Sequence, residues 1–379
     1  QRRDCACYTR IYLIRVSPQA LTTMEQVLVF TGGGSGGHVF PGLAIIEAVR
    51  RRFDGRIVWI GSSRGIERAI IEDAGIEFVA IPSGKLRRYF DLRNVLDVFR
   101  IVAGILASLI LIARLKPMVV FSKGGYVSVP PVIAARILGI RALTHESDRD
   151  PGLATRINAR FVDEVLCAYP EAAERFPGRG LIVGNPVRRA VLDGRPEIGR
   201  RILQVNDNTP VLFFTGGSLG ARQINRLVEE IRPRLTARFA VVHQCGQEME
   251  DETAERYLRR SFIREEYPHF LAAADLVISR AGANTLWELS ACATPALLIP
   301  LDTGASRGDQ IRNAEAYAAA GGAVVLDASS VDGDILYHTI VELFDDTGRL
   351  SEMAERARVL GGEDAAERIA QRILPEGWG

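Results

Sequence analysis

The heptapeptide Val27-Leu-Val-Phe-Thr-Gly-Gly33 returns later in the chain as Val211-Leu-Phe-Phe-Thr-Gly-Gly217, with six of its seven positions identical. Each copy is a short apolar run that enters a glycine-rich turn followed by a helical pattern. This order is typical of the first strand and helix of a nucleotide-binding α/β unit. Because the unit occurs twice, the sequence predicts two similar Rossmann-like domains.

The segments around these copies indicate how the domains are laid out. Runs rich in Val and Ile alternate with longer helical patterns, so the predicted fold class is α/β with parallel sheets. The turn-forming Gly184-Asn-Pro-Val187 marks the predicted seam. We assign residues 24–186 to an N-terminal domain, 187–350 to a C-terminal domain and 351–379 to C-terminal helices that pack back on the N-terminal domain. Residues 1–23 precede the first strand and are expected to be an extension outside the fold.

The composition is that of an ordinary globular protein, with 47% hydrophobic and 25% charged residues and a formal net charge of +1. This charge gives no reason to expect nucleic acid as a partner. The five cysteines are scattered, so neither a disulfide framework nor a zinc site is predicted, and a reducing cytoplasm fits best. No run reaches the roughly 20 apolar residues that span a bilayer, and the opening segment lacks the apolar core of a signal peptide.

Three glycine-rich turns follow predicted strands. The first contains a literal GxGxxG at Gly32, Gly34 and Gly37, and the others lie at residues 122–128 and 215–221. An NAD-dependent oxidoreductase is disfavoured, since the strand IVWIG is followed by Ser-Ser-Arg rather than by the acidic residue that holds a ribose. Together the turns supply backbone amides for a nucleotide diphosphate sugar or a lipid pyrophosphate.

Seven motifs occur in one order along the chain: GGGSGGHVFPGLA, SKGGYVSVP, HES with PGLATRI, VGNPVR, GGSLGARQIN, SRAGAxTxWE and DQIRNA. In this order and spacing the chain resembles the MurG glycosyltransferases from Val27 to its C-terminus. The resemblance implies the GT-B fold, in which two Rossmann-like domains with parallel sheets face a central cleft. It implies an inverting transfer of N-acetylglucosamine from UDP-N-acetylglucosamine to the muramoyl 4-hydroxyl of a polyprenyl-diphosphate-linked muramoylpentapeptide, which converts lipid I to lipid II in peptidoglycan synthesis.

Alternatives remain open at this point. They are a related GT-B glycosyltransferase that acts on another lipid or aglycone, an oxidoreductase, and a non-catalytic subunit that binds a sugar nucleotide or recruits a partner. The complete donor motifs disfavour the last. The implied partners are UDP-N-acetylglucosamine, the polyprenyl-linked muramoylpentapeptide, an anionic membrane surface on the cytoplasmic side, and cell-wall synthesis proteins.

The resemblance also implies where the substrates bind. The backbone at Ile263 would receive the uracil, residues 283–288 the ribose and phosphates, and Gln310 the sugar hydroxyls. The implied UDP-N-acetylglucosamine site comprises Ser35, Gly36, Gly37, Asp148, Arg188, Ser218, Ile263, Ala283, Asn284, Thr285, Leu286, Trp287, Glu288 and Gln310. The acceptor and its pyrophosphate are expected at Gly33, Gly34, Gly124, Gly125 and Tyr126.

Local chemistry supports part of this donor site. Gly282 and Ala283 open a predicted helix after the strand Leu276–Ser279, so free amides and a positive dipole end would meet a phosphate. Glu288 can accept hydrogen bonds from ribose hydroxyls, and its alternative role is that of a solvated or capping carboxylate. The alternative for Arg188 is a surface salt bridge.

His38 is the predicted general base, because it follows the first glycine-rich turn and imidazole can take a hydroxyl proton at cytoplasmic pH. Its alternative roles are to cap the helix or to bind an acceptor phosphate. One position departs from the family pattern, since Asp148 in His145-Glu-Ser-Asp148 stands where many members carry Asn in HEQN. An ionised Asp only accepts hydrogen bonds, so we expect its substrate contact to be rearranged. For His145 and Glu146, structural and catalytic roles both remain open.

No metal and no cofactor are expected. The two DxD pairs are Asp148 with Asp150 and Asp332 with Asp334. The first lies in a loop before a proline, and the second opens a helix, where Asp is an ordinary capping residue. Loop amides and a helix dipole can instead stabilise the departing UDP.

Residues 101–113 form a run of thirteen uncharged residues, bounded by Arg100 and Arg114. They are preceded by Lys85, Arg87, Arg88 and Arg93. A buried crossover helix is one interpretation of this run. The other is monotopic attachment, through an apolar face beside basic side chains, to an anionic membrane leaflet.

Overall fold

The computed structural model describes residues 26–374, apart from 35, 64, 66, 85–92, 218–219, 302–307 and 359–363. Residues 1–23, Ser35, Ser218, Arg87 and Arg88 therefore lie outside the described residues, as does the side chain of Arg93. The described chain forms two seven-stranded sheets, each covered by helices. The predicted α/β class with two Rossmann-like domains is confirmed.

The first sheet has the order β3-β2-β1-β4-β5-β6-β7, and all its strands are parallel. Its strands are β1 (Val27–Thr31), β2 (Arg56–Ser62), β3 (Glu77–Ile81), β4 (Val119–Ser122), β5 (Arg141–Glu146), β6 (Glu164–Cys167) and β7 (Gly180–Ile182). The central β1 and β4 are buried along their whole length, because helices cover both faces of a parallel sheet.

The helices of the first domain are α1 (Gly36–Arg50), α2 (Glu67–Asp73), α3 (Arg93–Leu115), α4 (Val129–Ile137), α5 (Leu153–Asn158) and α6 (Pro170–Ala173), with a 3₁₀ turn at Tyr126–Ser128. Helix α3 is the crossover between β3 and β4 and packs beside α4. Its segment Asp97–Leu115 is long and apolar enough, by length and composition alone, to cross a membrane. The expectation that no stretch reaches this length was wrong, because the helix extends beyond the uncharged run through Asp97 and Arg100.

The second sheet has the order β10-β11-β9-β8-β12-β13-β14, in which β10 is antiparallel to β11 and the other pairs are parallel. Its strands are β8 (Val211–Thr215), β9 (Ala240–Gln244), β10 (Glu252–Ala254), β11 (Tyr257–Arg260), β12 (Leu276–Ser279), β13 (Ala296–Leu298) and β14 (Ala323–Val325). Its helices are α7 (Arg189–Leu192), α8 (Pro196–Leu203), α9 (Arg222–Arg238), α10 (Tyr267–Ala273), α11 (Ala283–Ala291), α12 (Asp309–Ala319), α13 (Gly333–Asp345) and α14 (Arg349–Ala357).

The last described helix, α15 (Ala365–Ile373), returns to the first domain and packs against α1. Its Ile369 and Ile373 are fully buried in the core that contains β1 and β2. Helix α14 instead stays on the second domain, where Met353 packs with the core around β8. The segment after residue 350 is thus divided between the two domains, and the chain passes between them twice.

Candidate active site

The first two glycine-rich turns meet at the carboxyl edge of the first sheet. β1 and β4 are neighbours, so the turns that follow them lie side by side. Gly125 has a φ of +80°, and a Cβ at this position would lie 2.3 Å from the carbonyl oxygen of Gly33. A Cβ on Gly34 would lie 2.8 Å from Cε1 of Tyr126. The structure therefore brings the residues predicted to hold the acceptor into one contact region.

A buried carboxylate that the sequence analysis missed lies beneath the first turn. Glu67 is fully buried and accepts hydrogen bonds from the amides of Ser62, at 2.9 Å, and Gly34, at 3.5 Å. A Cβ on Gly33 would lie 2.6 Å from its Oε1. Glu67 thus packs against the turn at Gly33 and accepts the amide of Gly34, which the turn would otherwise offer to a phosphate.

His38 lies in the first turn of α1, against the glycines of the second turn. Its ring is 3.1 Å from the position of a Cβ on Gly125 and is hydrogen-bonded to the backbone of Lys123. Burial, followed by the positive charge of Lys123, lowers its pKa to about 4. The imidazole is therefore neutral at pH 7 and can accept a proton. A diphosphate bound beside it would raise its pKa and make it a stronger base.

Lys123 was also missed by the sequence analysis. It is only 1% exposed, and its Nζ donates to Ser147 Oγ at 2.6 Å. Burial lowers its pKa to about 8, although the charges of Glu146 and Asp148 act in the opposite direction. The ends of β4 and β5 therefore hold the buried ammonium of Lys123 close to His38, the predicted base.

The end of β5 and the loop that follows it carry the residues of the His145–Asp148 motif. Both carboxylate oxygens of Glu146 accept backbone amides, from Asp148 at 3.0 Å and from Gly152 at 2.9 Å. His145 is 1% exposed, and its Nε2 lies 2.9 Å from the carbonyl oxygen of Gly184. These contacts give both residues a structural role, holding the loop and the seam between the domains.

Asp148 is the position where the chain departs from the family pattern. Burial, then the charges of Glu146 and Asp309, raise its pKa to about 7. Nδ2 of Asn313, on α12 of the second domain, lies 3.5 Å from its Oδ1. The aspartate at this position therefore places a carboxyl group with a pKa near neutral pH at the boundary between the domains.

The donor side is built on α11, which begins directly after β12 as predicted. Its N-cap residue is Gly282, which has no side chain to satisfy the first amides. Glu288 accepts a hydrogen bond from the hydroxyl of Tyr267 at 2.8 Å and lies 3.8 Å from Nη2 of Arg188. Burial raises its pKa, and the charge of Arg188 opposes that shift. The guanidinium of Arg188 also lies 4.7 Å from the ring centroid of Phe40, on the first domain.

Several implied donor residues make contacts within the protein. Leu286 is fully buried and Trp287 is 3% exposed, with its ring 5.6 Å from that of Tyr169, so their side chains belong to the core. The amide of Ile263, expected at the uracil, donates to Gln244 Oε1 at 3.1 Å. Gln310 Oε1 accepts the amide of Leu301 at 3.1 Å.

The remaining donor residues lie at two facing helix starts. Gly36 and Gly37 begin α1, whereas Ala283, Asn284 and Thr285 begin α11. Nδ2 of Asn284 donates to the carbonyl oxygen of Gly37 at 2.8 Å. The donor helix of the second domain therefore contacts the first glycine-rich turn directly.

Neither DxD pair is arranged as a pair of metal ligands. Asp150 lies 2.7 Å from Arg312 and 3.6 Å from Arg175, and Asp332 caps α13 by accepting the amide of Ile335 at 2.8 Å, as predicted. Among the residues that the structure describes, no group of three His, Cys, Asp or Glu side chains is placed to hold a metal ion.

Comparison with known proteins gives matches over almost the whole described chain. The glycosyltransferase family 28 N-terminal domain matches residues 28–167, and the glycosyltransferase family 28 C-terminal domain matches residues 211–372. A protein of Treponema denticola is 45% identical, covering 91% of this chain and 96% of its own length. It is named UDP-N-acetylglucosamine--N-acetylmuramyl-(pentapeptide) pyrophosphoryl-undecaprenol N-acetylglucosamine transferase.

Further similar proteins agree with these matches. A Bacillus cereus protein with the same name, numbered 2, is 42% identical over 91% of this chain and 98% of its own. Among solved structures, Acinetobacter baumannii MurG has a TM-score of 0.72 and 27% identity, covering 92% of this chain and 99% of that one.

Proposed function

Since the chain belongs to the MurG family, within glycosyltransferase family 28, we propose that it transfers N-acetylglucosamine from UDP-N-acetylglucosamine to the lipid-linked muramoylpentapeptide. The muramoyl 4-hydroxyl attacks the anomeric carbon, and UDP leaves from the opposite face. A β-1,4 bond forms as the bond between the sugar and the diphosphate breaks, and the hydroxyl proton passes to a base. Peptidoglycan synthesis, and through it cell shape and division, is the process served.

The observation that carries this proposal is the contact between the two turns on which the substrates would meet. The open N-terminus of α11 faces the start of α1, and Asn284 bonds to Gly37 across the cleft. A sugar attached to a diphosphate at α11 would therefore lie beside His38. The alternative is another lipid or aglycone acceptor, and the names of the similar proteins favour the muramoyl acceptor.

On the donor side, the first amides of α11 would bind the diphosphate, since a helix N-terminus stabilises negative charge. Arg188 and Glu288 are 3.8 Å apart, which is a loose pair. A ribose hydroxyl would take the place of one partner of Glu288, and Arg188 would turn toward a phosphate oxygen. Tyr267 and Phe40 hold these two side chains in position.

On the acceptor side, His38 would remove the proton from the muramoyl hydroxyl. Its hydrogen bond to the backbone of Lys123 fixes the ring, which leaves the other ring nitrogen for the substrate. The positive end of α1 would stabilise the acceptor pyrophosphate next to it. No step requires a metal, because amides and helix dipoles stabilise the charge that develops on UDP.

The exposed face of α3 supports a peripheral position on the cytoplasmic side of the membrane. Phe99 is 69% exposed, Leu106 and Ile110 are each 57% exposed, and Val98 and Val102 are about half exposed. Such an apolar stripe would enter the interface beside Arg100 and Arg114, whose charges favour anionic lipids. A polyprenyl-linked acceptor would then reach the cleft without leaving the membrane. Cell-wall synthesis proteins that use the product are further partners in this proposal.

The test is a transfer assay with purified protein and UDP-N-acetylglucosamine. One set of reactions contains the lipid-linked muramoylpentapeptide, another contains diacylglycerol, and each is run with and without EDTA. We expect a disaccharide product, identified by its mass, only with the muramoyl acceptor and at the same rate in EDTA. Transfer to diacylglycerol alone would contradict the acceptor assignment, and loss of activity in EDTA would contradict the metal-free mechanism.

A further inference from the structure

The chain contains only three lysines, Lys85, Lys116 and Lys123, among 47 cationic side chains, and the rest are arginines. Of these, Lys123 is 1% exposed and directly follows β4, at the carboxyl edge of the first sheet. Burial of an ammonium group is costly unless its hydrogen bonds are satisfied and its charge is balanced. The planar fork of an arginine would be larger and would impose a different geometry. The site therefore uses a compact point charge with a specific set of partners.

A continuous series of hydrogen bonds leads from the ammonium of Lys123 to the other domain and back. Lys123 Nζ donates to Ser147 Oγ at 2.6 Å, and Ser147 Oγ donates to Asn185 Oδ1 at 2.9 Å. Asn185 Nδ2 then donates to Asn284 Oδ1 at 2.9 Å, and Asn284 Nδ2 donates to the carbonyl oxygen of Gly37 at 2.8 Å. We call these bonds, from Lys123 through Ser147, Asn185 and Asn284 to Gly37, the interdomain relay.

The ammonium of Lys123, which only donates, and the carbonyl of Gly37, which only accepts, set the same direction for the interdomain relay. Because Lys123 has donors and no acceptor, the oxygen of Ser147 must accept from it, and the hydroxyl proton of Ser147 is then directed to Asn185. Each amide must in turn present its oxygen toward Lys123 and its nitrogen toward Gly37. Bonds aligned in one sense polarise and strengthen one another. Removal of the ammonium would leave Ser147 without its donor and would take away the positive charge that polarises the relay from this end.

Both ends of the relay meet at His38. The backbone of Lys123 is hydrogen-bonded to the imidazole, and its amide donates to the carbonyl oxygen of Thr31 at 2.8 Å. The far end of the relay fixes the carbonyl of Gly37, the residue directly before His38. Between these ends it passes through Asn284, in the first turn of α11.

We propose that Lys123 is a positioning residue of the transfer reaction, which aligns His38 through the interdomain relay when α11 of the second domain is seated against the first. The proposal rests on the proposed function for the roles of His38 and α11. It predicts that damage at Lys123 and damage at Asn284 have the same consequence, although the two side chains come from different domains.

The kinetic test compares Lys123→Met, Asn284→Leu and the double variant with the parent, using a short-chain soluble acceptor. Each single variant is expected to lose on the order of 10²-fold in kcat, because a displaced base no longer reaches its proton. The Michaelis constant for UDP-N-acetylglucosamine should change by no more than about threefold, since the side-chain atoms of Asn284 are occupied by the relay. The double variant should be no slower than the slower single variant, because the same relay is broken once. Lys116→Met, at an exposed lysine, is the matched control and should match the parent.

A second readout does not depend on activity. The chain has five histidines, so ¹⁵N-labelled imidazole spectra are sparse, and the His38 signal is identified by its loss in His38→Gln. We expect the His38 signal to move in Lys123→Met and in Asn284→Leu, but not in Lys116→Met. If Lys123→Met does not fold, Ser147→Ala replaces it in both experiments.

Three outcomes would overturn the proposal. They are additive losses in the double variant, an unchanged His38 signal in Asn284→Leu, and a loss that appears only in the donor Michaelis constant. A signal that moves in Lys123→Met alone would mean that the ammonium acts only as a local charge. If the parent itself makes no product, the proposed function fails, while the spectra still decide whether the relay positions His38.

Discussion

His38 is the proposed base, and burial and the positive charge of Lys123 lower its pKa to about 4. We predict that His38→Ala lowers kcat by roughly 10²–10⁴-fold and leaves the affinity for UDP-N-acetylglucosamine unchanged, because the loss is confined to proton transfer. Steady-state kinetics at saturating acceptor and calorimetry with the donor measure the two quantities. His338→Ala, at an exposed histidine, serves as the control.

A different result would reassign the base. If His38→Ala keeps parental turnover at saturation and only raises the Michaelis constant of the acceptor, His38 binds a phosphate. Asp148 would then be the next candidate, since its pKa is raised to about 7 by burial and the nearby carboxylates. Glu146 is less suited to that role, because both its carboxylate oxygens accept backbone amides.

Glu288 is the residue whose removal should weaken donor binding most directly. Glu288→Ala is expected to reduce the affinity for UDP by about 1.5–3 kcal/mol, as for a hydrogen bond to a desolvated charge. Calorimetric titration of UDP into parent and variant measures the difference. Tyr267→Phe should give a smaller loss in the same direction, because it removes only the group that holds Glu288. Glu197→Ala, on the exposed start of α8, is the control, and equal affinities for Glu288→Ala and parent would remove Glu288 from the site.

Three histidines with lowered pKa values make the protein sensitive to acid. Burial lowers the pKa of His38 to about 4 and of His243 to about 3, and that of His145 lies well below its usual range. The unfolded chain takes up these protons near pH 6.5 and the folded chain does not, so stability falls as the pH drops from about 6.5 toward 4. Asp148, whose pKa is raised to about 7, is protonated in the folded state and opposes this trend by one proton.

The three histidines and Asp148 together leave two protons, or about 2.8 kcal/mol of unfolding free energy per pH unit, from 1.4 kcal/mol for each. The raised pKa of Glu288 opposes the trend as well and makes the slope smaller than this. Urea unfolding between pH 6 and 4.5 tests it. In His243→Gln the slope of the unfolding free energy against pH should decrease by the contribution of one proton, about 1.4 kcal/mol per pH unit. This holds whatever the variant does to the absolute stability. A free energy of unfolding that does not depend on pH in this range would contradict the assignment of neutral buried imidazoles.

At the level of single elements, α3 combines a core helix with a surface that faces away from the fold. We predict that Phe99→Ser with Leu106→Ser and Ile110→Ser weakens binding to anionic vesicles, because each buried apolar side chain contributes about 1.5–3 kcal/mol. Turnover on a soluble short-chain acceptor should be retained. Vesicle sedimentation measures the binding, and Ile202→Ser with Ile335→Ser, two exposed apolar residues of the second domain, is the control. Equal vesicle binding by the α3 variant and the parent would leave α3 as a crossover helix only.

Helix α11 illustrates what the sequence could and could not predict about one element. Its start after β12 followed from the glycine before a helical pattern, and the structure places it there. The implied site, however, treated residues 283–288 as one continuous segment. An α-helix has about 3.6 residues per turn, so residues four positions apart lie on the same face. Asn284 and Glu288 therefore both face the cleft, whereas the side chains of Leu286 and Trp287 face the core. Helical periodicity applied to the motif would have separated the two groups.

Across the whole molecule, the repeated heptapeptide was sufficient to predict two sheets, because strand and turn signals are local. The partners of Lys123 were not predictable in this way. They come from the loop after β5, from Asn185 near the seam and from the second domain, and their contact depends on strand order and on how the domains meet. The buried Glu67 under the first turn depends on strand order in the same manner. The composition did contain one indication of Lys123, since lysine is rare in this arginine-rich chain.

The return of α15 to the first domain should matter for the stability of that domain. Ile369 is fully buried among the residues of β1, β2 and α1. Ile369→Ala is expected to destabilise the protein by about 2–5 kcal/mol, the cost of a large-to-small change in a packed core. Thermal or urea unfolding measures it, with Arg368→Ala, an exposed neighbour on the same helix, as control. A midpoint equal to that of the parent would mean that α15 contributes little to the core.

The two passages of the chain between the domains, one at the seam near residues 184–187 and one between α14 and α15, also restrict how the domains can move. Because the chain joins the domains at two places, the lengths of both connections limit how far the domains can separate. Opening of the cleft is thus restricted by two tethers instead of one. We expect the two tethers to narrow the range of relative orientations from which His38 and the first turn of α11 come together again when the cleft closes.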